Sequence, residues 1–284
     1  MKRHIKILSI NILLFFSLSI YGQTTIMTFN IRLDTPIDKE NRWEKRKMDV
    51  IDLIEFYHPD FLGIQEGIKH QVEFIKENAT NYDFVGIGRS DGKKKEEEYT
   101  AIYYDTTKFK LIRSETFWLS ETPKKFSVGW DAALERICTY GIFRNLKTLD
   151  SIYIFNVHFD HRGIEARKMS AKLIVNKIDE FQLDDKNVIV MGDLNCEPQD
   201  EPIQILKDKL DDGVEISLKK FYGPKGTFNQ FDTKIILDKK IDYILTKNIK
   251  VLNYRHIDDK RPGNLWVSDH LPVLIQINDL STRY

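Results

Sequence analysis

Cysteine is scarce in this chain, and neither sign of charge is in excess. Cys138 and Cys196 are the only cysteines among 284 residues. Two are too few for a disulfide scaffold, although an oxidising compartment would permit one bridge, and we interpret both as small buried hydrophobic residues. Basic and acidic residues number 43 each. The chain therefore has no global field that attracts nucleic acid or an anionic membrane.

The chain also lacks internal repeats, low-complexity tracts and any linker rich in proline, glycine or serine. Because nothing in the sequence separates two domains, we predict a single domain over residues 23–284. Hydrophobic residues make up 42% of the chain and aromatic residues 12%. This content is enough for a packed core.

The N-terminus has the layout of a secretory signal peptide. Lys2, Arg3 and Lys6 precede an apolar run over residues 7–20, which is shorter than the roughly 20 apolar residues that span a bilayer. We predict that residues 1–22 are a cleaved signal peptide. The mature protein is then exported to the periplasm or the cell exterior, without stable membrane insertion. Cleavage leaves 40 basic and 43 acidic residues, which disfavours tight, salt-driven binding of nucleic acid.

Short runs of β-branched and aromatic residues predict strands. These runs cover residues 24–31, 61–65, 82–87, 100–104, 137–143, 151–158, 188–191, 241–245 and 272–277. Helical spacing of apolar residues predicts helices over 43–57 and 166–178. Helices and strands alternate in part, while the runs at 137 and 151 follow each other as in a hairpin. We therefore predict an α/β or α+β class with a mixed or antiparallel sheet.

Polar side chains repeatedly interrupt these hydrophobic strands near one end. They are Asn30, Glu66, His158, Asp193, Asn195, Asp242, Asp269 and His270. Taken singly, such a residue is also explained as a turn former. An aspartate inside an apolar strand, as at Asp242, needs a partner such as an imidazole or a metal ion. The whole set therefore indicates a polar site at the strand ends.

The residue types suit a hard divalent cation and phosphoester hydrolysis. Mg²⁺ prefers oxygen ligands and often takes only one or two carboxylates, which Glu66 and Asp269 can supply. A zinc site would need more histidine or cysteine at short spacing. Hydrolysis also needs a base for the attacking water, a role open to Asp193, and donors to the phosphoryl oxygens. Candidate donors are Asn195, Arg136, His158 and His270.

Six short motifs between about residues 24 and 277 resemble the endonuclease/exonuclease/phosphatase superfamily, which includes deoxyribonucleases, abasic-site endonucleases, inositol polyphosphate 5-phosphatases and bacterial sphingomyelinases. The motifs are Thr28-Phe29-Asn30, Gly63-Ile64-Gln65-Glu66, Asn156-Val157-His158, Gly192-Asp193-Leu194-Asn195, Ile241-Asp242-Tyr243-Ile244 and Ser268-Asp269-His270-Leu271-Pro272. Each motif is weak alone, but six in this order are specific. Residues 117–123, 129–133 and Asp160-His161 are similar to a bacterial branch described as metal-dependent hydrolases.

The resemblance implies a four-layer α/β sandwich in which two packed, mixed β-sheets are flanked by helices, with the site at one rim between the sheets. It implies that Glu66 is the main Mg²⁺ ligand, assisted by Asn30 and Asp269, with Mn²⁺ as a substitute. Asp193 would orient or deprotonate the attacking water. Asn195 would hold this water or a phosphoryl oxygen.

The resemblance also implies which residues contact the phosphate. His270 would bind the scissile phosphate while Asp242 fixes its ring. His158 would be a second imidazole and a candidate acid for the leaving oxygen. Arg136 would bind phosphate oxygens with its planar fork. The alternative for Arg136 is a surface ion pair with Glu135 or another neighbour.

Two weaker assignments concern the surroundings of His158. Glu98 matches the position that steadies this histidine in some family members, although Glu96 and Glu97 fit after a small alignment shift. Asp160 and His161 lie close to His158 in the chain and are candidates for shaping the pocket.

We therefore predict an exported, Mg²⁺-dependent phosphoesterase that hydrolyses a P–O bond by in-line attack of water, with a small phosphate ester as the favoured substrate. One alternative is a nuclease acting on DNA or RNA, with residues 93–95 as a local basic contact. A sphingomyelinase-like phospholipid hydrolase is another, although the sequence has no convincing apolar hairpin. A non-catalytic secreted binding protein would have lost several metal and base residues, and here each is present.

Overall fold

The computed structural model describes residues 22–90 and 97–278. The strands are β1 Gln23–Asn30, β2 Phe61–Gln65, β3 Tyr82–Val85, β4 Ile102–Asp105, β5 Phe109–Trp118, β6 Ile137–Asn145, β7 Ser151–His158, β8 Asn187–Asp193, β9 Asp211–Asp212, β10 Asp242–Lys247, β11 Val251–His256, β12 Lys260–Arg261, β13 Leu265–Trp266 and β14 Val273–Asn278. The helices are α1 Trp43–Tyr57, α2 Lys69–Asn78, α3 Ile164–Glu180, α4 Glu201–Lys207 and α5 Gly213–Ile216, with a 3₁₀ helix at Pro36–Asn41.

Two predictions fall on parts of the chain outside these ranges. The predicted signal peptide, apart from Gly22, lies outside the described residues, and so does the basic segment 93–95. Among the helices of the described ranges, none is both long and apolar enough to cross a membrane.

Two six-stranded sheets form the framework, in the orders β11-β14-β1-β2-β4-β3 and β5-β6-β7-β8-β10-β9. Both are mixed, because β1 pairs in parallel with β2 and β7 with β8, while the other neighbours are antiparallel. Strands β12 and β13 form a separate ribbon. The hairpin predicted from residues 137–143 and 151–158 is the β6–β7 pair, as expected.

Three apolar layers hold the sheets and helices together. Between the sheets, buried side chains from both interdigitate, as in the contact between Phe61 and Phe143, whose ring centroids are 5.0 Å apart. Ile54 of α1 belongs to the layer outside the first sheet, and Ile174 of α3 to the layer outside the second. This helix–sheet–sheet–helix arrangement confirms the four-layer sandwich.

The two cysteines belong to the core. Cys138 and Cys196 are both buried and unbridged. Burial raises the pKa of both thiols, so neither is a reactive thiolate. The interpretation of these residues as small hydrophobes is confirmed.

The sequence-based prediction lacks strands β5 and β11 and helices α2 and α4, together with the short elements β9, β12, β13 and α5. Strands β5 and β11 each lie at an edge of their sheet. Edge strands pair on one side only and tolerate polar residues, which weakens their hydrophobic signal. In β5 the middle positions Arg113 and Ser114 are exposed, so the alternation that identifies a strand is interrupted.

Candidate active site

Strand register brings the predicted site residues to one rim of the sandwich. His158 ends β7 and pairs with Asp193 at the end of β8. Asp242 begins β10 and pairs with the same Asp193 from the other side. In the first sheet, Asn30 ends β1 beside the last residue of β2, so that Glu66 follows immediately. Residues that are far apart in the chain therefore lie next to one another.

Backbone geometry at two strand ends permits this convergence. Gly192 has a φ of 142°, and a Cβ atom there would lie 1.9 Å from the carbonyl oxygen of Val157. Only glycine lets β7 and β8 approach this closely beside Asp193. Glu66 has a φ of 63°, a conformation uncommon for a residue with a side chain. The chain leaves β2 at this point, and Glu66 Oε2 accepts a hydrogen bond from the backbone N–H of Leu33, 3.2 Å away.

A buried amide pair links the sheets beneath the site. Gln65 Nε2 donates to Asn156 Oδ1 at 2.7 Å and to Thr28 Oγ1 at 3.0 Å. Asn156 Nδ2 donates across the sandwich to the carbonyl oxygens of Ile64 and Ala101, each at 2.9 Å. Because these buried polar groups are costly to leave unpaired, their hydrogen bonds fix the position of one sheet relative to the other.

We define the acidic cluster as Asn30, Glu66, Asp193, Asp242, Asp269 and His270. Glu66, Asp193 and His270 each offer one atom that could bind a metal ion, and these three atoms lie within 4.8 Å of one another. Asn30 Nδ2 donates to Glu66 Oε1 and Asp193 Oδ2, each at 3.1 Å. His270 Nδ1 lies 2.9 Å from Asp242 Oδ2, and its Nε2 lies 3.9 Å from Asp193 Oδ2. The cluster thus gathers carboxylate oxygens around a small volume.

The acidic cluster fits a divalent cation. Carboxylates of Glu66 and Asp269 flank the same nitrogen of Arg32, at 3.7 and 3.8 Å. Burial raises the pKa of Asp269, and the negative charge of Glu66 adds to the effect. A bound cation would offset this repulsion, and a set of hard oxygen donors is the kind that Mg²⁺ and Mn²⁺ favour.

Asn30, predicted as an assisting ligand, has its oxygen turned away from Glu66. Asn30 Oδ1 accepts a hydrogen bond from the backbone N–H of Arg32 at 3.0 Å, while Nδ2 faces the carboxylates. Ligation through the oxygen would require the amide to turn, since the two ends of an amide differ only in their hydrogen-bond partners. Its assignment as a ligand stays a prediction.

Burial and neighbouring charges set the protonation of the acidic cluster. Burial raises the pKa of Asp193 to about 7, although His270 acts in the opposite direction. Burial alone would lower the pKa of His270, but Asp242 and Asp193 raise it to about 10. Burial likewise acts to raise the pKa of Glu66, yet His270 and Arg32 bring it below its usual range. The cluster therefore combines an ionised carboxylate at Glu66 with a carboxylate at Asp193 that can exchange a proton.

Cationic and imidazole groups line the same cavity, and we define the basic wall as Arg89, Arg136, His158 and His161. His158 Nε2 lies 3.5 Å from Asp193 Oδ2, and its Nδ1 lies 3.8 Å from Glu98 Oε2. Burial lowers the pKa of His158 well below its ordinary value, and Arg136 and Arg89 lower it further. The imidazole is therefore neutral in the free protein.

Among the candidate glutamates that the structure describes, Glu98 is the one whose carboxylate lies beside His158. Its Oε2 also accepts from Arg89 Nη1 at 2.8 Å. Glu97 instead uses Oε2 to accept the backbone N–H of Ser90 at 2.8 Å, and Glu96 lies outside the described residues. The geometry thus favours Glu98 for the steadying position.

Arg136 is buried in the basic wall and not engaged in a surface ion pair. Its side chain is 5% exposed. Nε donates to Asp160 Oδ2 at 3.3 Å, and Nη2 lies 2.9 Å from His161 Nδ1. Arg136 thus forms an ion pair with a neighbour, as the alternative interpretation expects, but this neighbour is the buried carboxylate of Asp160 and not a surface group. Its role in binding phosphate stays a prediction.

These groups line one cavity of ≈ 410 Å³. Most predicted site residues contribute to its wall, namely Glu66, Arg136, His158, Asp193, Asn195, Asp269 and His270. Asn30 and Asp242 lie behind it, hydrogen-bonded to lining residues. The side chain of Asn195 is held by donation from Nδ2 to the carbonyl oxygen of Phe159 at 3.1 Å.

Sequence reasoning missed several lining residues, among them Arg32, Arg89, Phe228 and Lys239. Arg32 lies only two positions after Asn30, which is the one signal that could have found it. Its conformation depends on distant contacts: Arg46 of α1 donates to the carbonyl oxygens of Ile31 and Arg32 at 2.6 and 2.8 Å. Nothing in the local sequence shows this support.

Comparison with known proteins places the chain among similar sequences and structures. The model of the Endonuclease/Exonuclease/phosphatase family matches residues 27–270. A solved family protein from Bacteroides thetaiotaomicron is 32% identical, with a TM-score of 0.86 over 91% of this chain and 98% of that chain. A mannosyl-6-phosphatase of the same species is 33% identical, with a TM-score of 0.85 over 89% and 99%. The uncharacterized protein L388 of Acanthamoeba polyphaga mimivirus is 29% identical over 264 residues, 82% of this chain and 91% of its own.

Proposed function

We propose a substrate for this chain from one premise: it belongs to the endonuclease/exonuclease/phosphatase family and is a metal-dependent hydrolase of ester bonds. The proposed substrate is a small phosphate monoester of the sugar phosphate class, and the proposed cation is Mg²⁺. The observation that carries the proposal is that the acidic cluster and the basic wall share a cavity of ≈ 410 Å³.

The charges around the cavity support a monoester. Lining carboxylates number four and lining lysines and arginines also number four; they are Glu66, Glu98, Asp193 and Asp269, and Arg32, Arg89, Arg136 and Lys239. His270, with a pKa of about 10, adds one positive charge to the wall of the cavity, and Asp242 offsets it from behind. With these charges close to balance, a divalent cation adds two positive charges. A phosphate monoester carries about −1.5 to −2 at neutral pH, and so matches this surplus, whereas a diester carries a single negative charge.

The size of the cavity supports a small substrate. A volume of ≈ 410 Å³ lies within the roughly 300–1,000 Å³ range of small-molecule sites. The similar mannosyl-6-phosphatase makes hexose phosphates the first class to test. The nuclease alternative receives less support, since the predicted mature chain has 40 basic against 43 acidic residues.

The acidic cluster supplies the ligands and the base in this proposal. Glu66 and Asp269 hold the metal, which when bound stabilises negative charge on the phosphoryl oxygens. Asp193 accepts the proton of the attacking water, a step suited to a carboxylate with a raised pKa. Asn195, fixed by its bond to a backbone carbonyl, holds the water or a phosphoryl oxygen.

Donors on both sides hold the phosphate. Asp242 orients His270 so that Nε2 faces the reacting group, and Arg136 presents its fork from the basic wall. His158 lies next to Asp193, where it can reach the leaving oxygen. A bound phosphate dianion would raise the pKa of His158, because negative charge favours the protonated imidazole. Water activated by Asp193 attacks the phosphorus atom in line with the leaving oxygen, so the reaction needs no covalent enzyme intermediate.

Phosphate release from a panel of esters tests the proposal. The panel contains hexose 6-phosphates, p-nitrophenyl phosphate, bis(p-nitrophenyl) phosphate and a single-stranded DNA oligonucleotide, each assayed with Mg²⁺, with Mn²⁺ and with chelator. We expect metal-dependent turnover that prefers monoesters. Asp193→Ala should lower kcat by about 10³-fold or more, while the control Asp208→Ala, at an exposed residue, should not. Preference for the diester or DNA would overturn the monoester assignment, and full activity of Asp193→Ala would refute its role.

Export is a separate proposal from the same sequence. If residues 1–22 are a signal peptide, the protein recovered after expression of the full chain begins at or near Gln23. N-terminal sequencing of the periplasmic and extracellular fractions measures this. Recovery of a full-length N-terminus would contradict it.

A further inference from the structure

His161 is fixed in one tautomer by its neighbour in the basic wall. Arg136 Nη2 lies 2.9 Å from His161 Nδ1. A guanidinium can only donate, so Nδ1 must accept and the ring carries its hydrogen on Nε2. A ring turned over would place a carbon atom against the guanidinium and lose the bond. His161 is therefore a neutral imidazole with a defined donor.

A buried carboxylate holds this pair in place. Asp160 Oδ1 accepts the backbone N–H groups of Arg162 and Gly163 at 2.9 and 2.7 Å. Asp160 Oδ2 accepts from Arg136 Nε at 3.3 Å and from the backbone of Ala133 at 3.1 Å. Burial acts to raise the pKa of Asp160, but these donors lower it to about 2. The anion stays ionised and anchors both the arginine and the turn that carries His161.

The remaining nitrogen of His161 is available to a ligand. The residue lines the cavity, and its Nε2 makes no hydrogen bond to a described residue. Burial and the charge of Arg136 lower the pKa of the ring, against the weaker effect of Asp160, which agrees with a neutral imidazole. The side chain is 43% exposed, whereas Arg136 is 5% and Asp193 2% exposed. His161 thus lies towards the mouth, farther out than the groups assigned to the phosphoryl transfer.

We propose that His161 determines substrate specificity by donating a hydrogen bond from Nε2 to an oxygen of the leaving group, such as a sugar hydroxyl or ring oxygen. This inference rests on the proposed function, since it needs the phosphoryl group to occupy the inner part of the cavity. A single fixed donor favours substrates whose leaving group carries an acceptor oxygen. A hydrocarbon leaving group displaces water from the donor and offers no hydrogen bond in return. Asp160 and Arg136 position the donor.

Three matched substrates distinguish a role of His161 in specificity from a general role in catalysis. Glucose 6-phosphate and mannose 6-phosphate share a six-membered ring and a primary phosphate ester with cyclohexylmethyl phosphate, which has no oxygen on its ring. Wild type, His161→Ala and His161→Gln are assayed on all three with Mg²⁺. We expect His161→Ala to lower kcat/KM by about tenfold for the better hexose phosphate, mainly through KM, because one hydrogen bond is lost. Turnover of cyclohexylmethyl phosphate should change by less than about twofold.

The glutamine variant tests the donor itself. Its amide nitrogen can take the place of imidazole Nε2, so His161→Gln should recover activity on the hexose phosphate to within about threefold of wild type. An equal loss on both ring types, or no loss on either, would overturn the inference and leave the phosphatase assignment intact. If wild type hydrolyses none of the three esters, the proposed function fails and the inference fails with it.

Discussion

The acidic cluster and the basic wall each contain a buried imidazole close to Asp193, and the two imidazoles have opposite properties. His270 Nε2 and His158 Nε2 lie 3.9 and 3.5 Å from the same oxygen of Asp193. Burial disfavours the charged form of both. Asp242 nevertheless raises the pKa of His270 to about 10, while Arg136 and Arg89 lower that of His158 further.

This difference indicates that neighbouring charge, and not residue type or depth, sets the protonation state that each histidine favours. Excess carboxylate on one side suits a cation and a charged imidazole. Excess guanidinium on the other side suits a phosphate and a neutral imidazole. The separation lets one small cavity bind two partners of opposite charge. Substitutions on both sides of the cavity test it, and a third buried histidine outside the cavity serves for comparison.

Among these substitutions, Glu66→Gln should cause the largest loss of metal binding and activity. The substitution keeps the shape but removes the charge of the main predicted ligand. We expect kcat/KM to fall by about 10³-fold, since a metal ion contributes several kcal/mol of transition-state stabilisation. Calorimetric titration with Mn²⁺ should show weaker binding, which gives a readout independent of turnover. Glu77→Gln, at an exposed position of α2, is the control. Unchanged Mn²⁺ affinity of Glu66→Gln would contradict the assignment of Glu66 as a ligand.

Arg136→Ala should weaken the basic side by about 10²-fold in kcat/KM, the usual cost of one preorganised donor to a developing charge. Arg136→Lys should recover little of this, because lysine cannot bond Asp160 and the phosphate with one planar fork. Steady-state kinetics on a hexose phosphate measures both. Arg144→Ala, at an exposed position of β6, the strand that begins directly after Arg136, is the matched control. Full recovery by lysine would show that charge alone suffices.

Asp242→Asn should reduce the contrast between the two histidines. In wild type, His270 Nδ1 lies 2.9 Å from Asp242 Oδ2. The variant keeps a hydrogen-bonding group at this position but loses its negative charge. Loss of such a partner typically costs about 10- to 100-fold. We expect the fall in kcat with little change in KM, because Asp242 acts through His270 and lies behind the cavity wall. A variant with wild-type kcat would show that the ring needs no anionic partner.

His256 is a third buried histidine, outside the cavity, and serves as a comparison for His158 and His270. Its Nδ1 lies 2.8 Å from the carbonyl oxygen of Pro224. Burial lowers its pKa to about 4. A folded-state pKa below the unfolded value of about 6.5 stabilises the fold above pH 6.5, and this stabilisation is lost as pH falls towards 4.

The His256→Asn variant, which retains an amide donor, should abolish this pH dependence. Relative to it, wild type should lose up to about 3 kcal/mol of unfolding free energy between pH 6.5 and 4. Urea unfolding of both proteins across this range measures the difference. Parallel stability curves would show that His256 does not titrate as burial requires.

Much of the framework follows from local patterns, and the failures have a common cause. Central strands such as β7 and β8 contain apolar runs, at residues 152–155 and 188–191, so their residues alone predict them. The edge strands β5 and β11 escape prediction because half-exposed strands carry polar residues. Among the site residues, Asp193 is predictable because a carboxylate ends a buried strand. Arg32, Arg89 and Lys239 resemble any surface cation in sequence.

The order of residues along the chain sets which strands end in carboxylates, amides and imidazoles, and with them the chemistry available to the site. Tertiary structure alone decided that β7 and β10 both lie beside β8, so that His158 and Asp242 flank Asp193. It also decided the charge on each imidazole and the tautomer of His161. The physical reason is that pairing, desolvation and Coulomb interaction depend on distances in space between residues far apart in the chain.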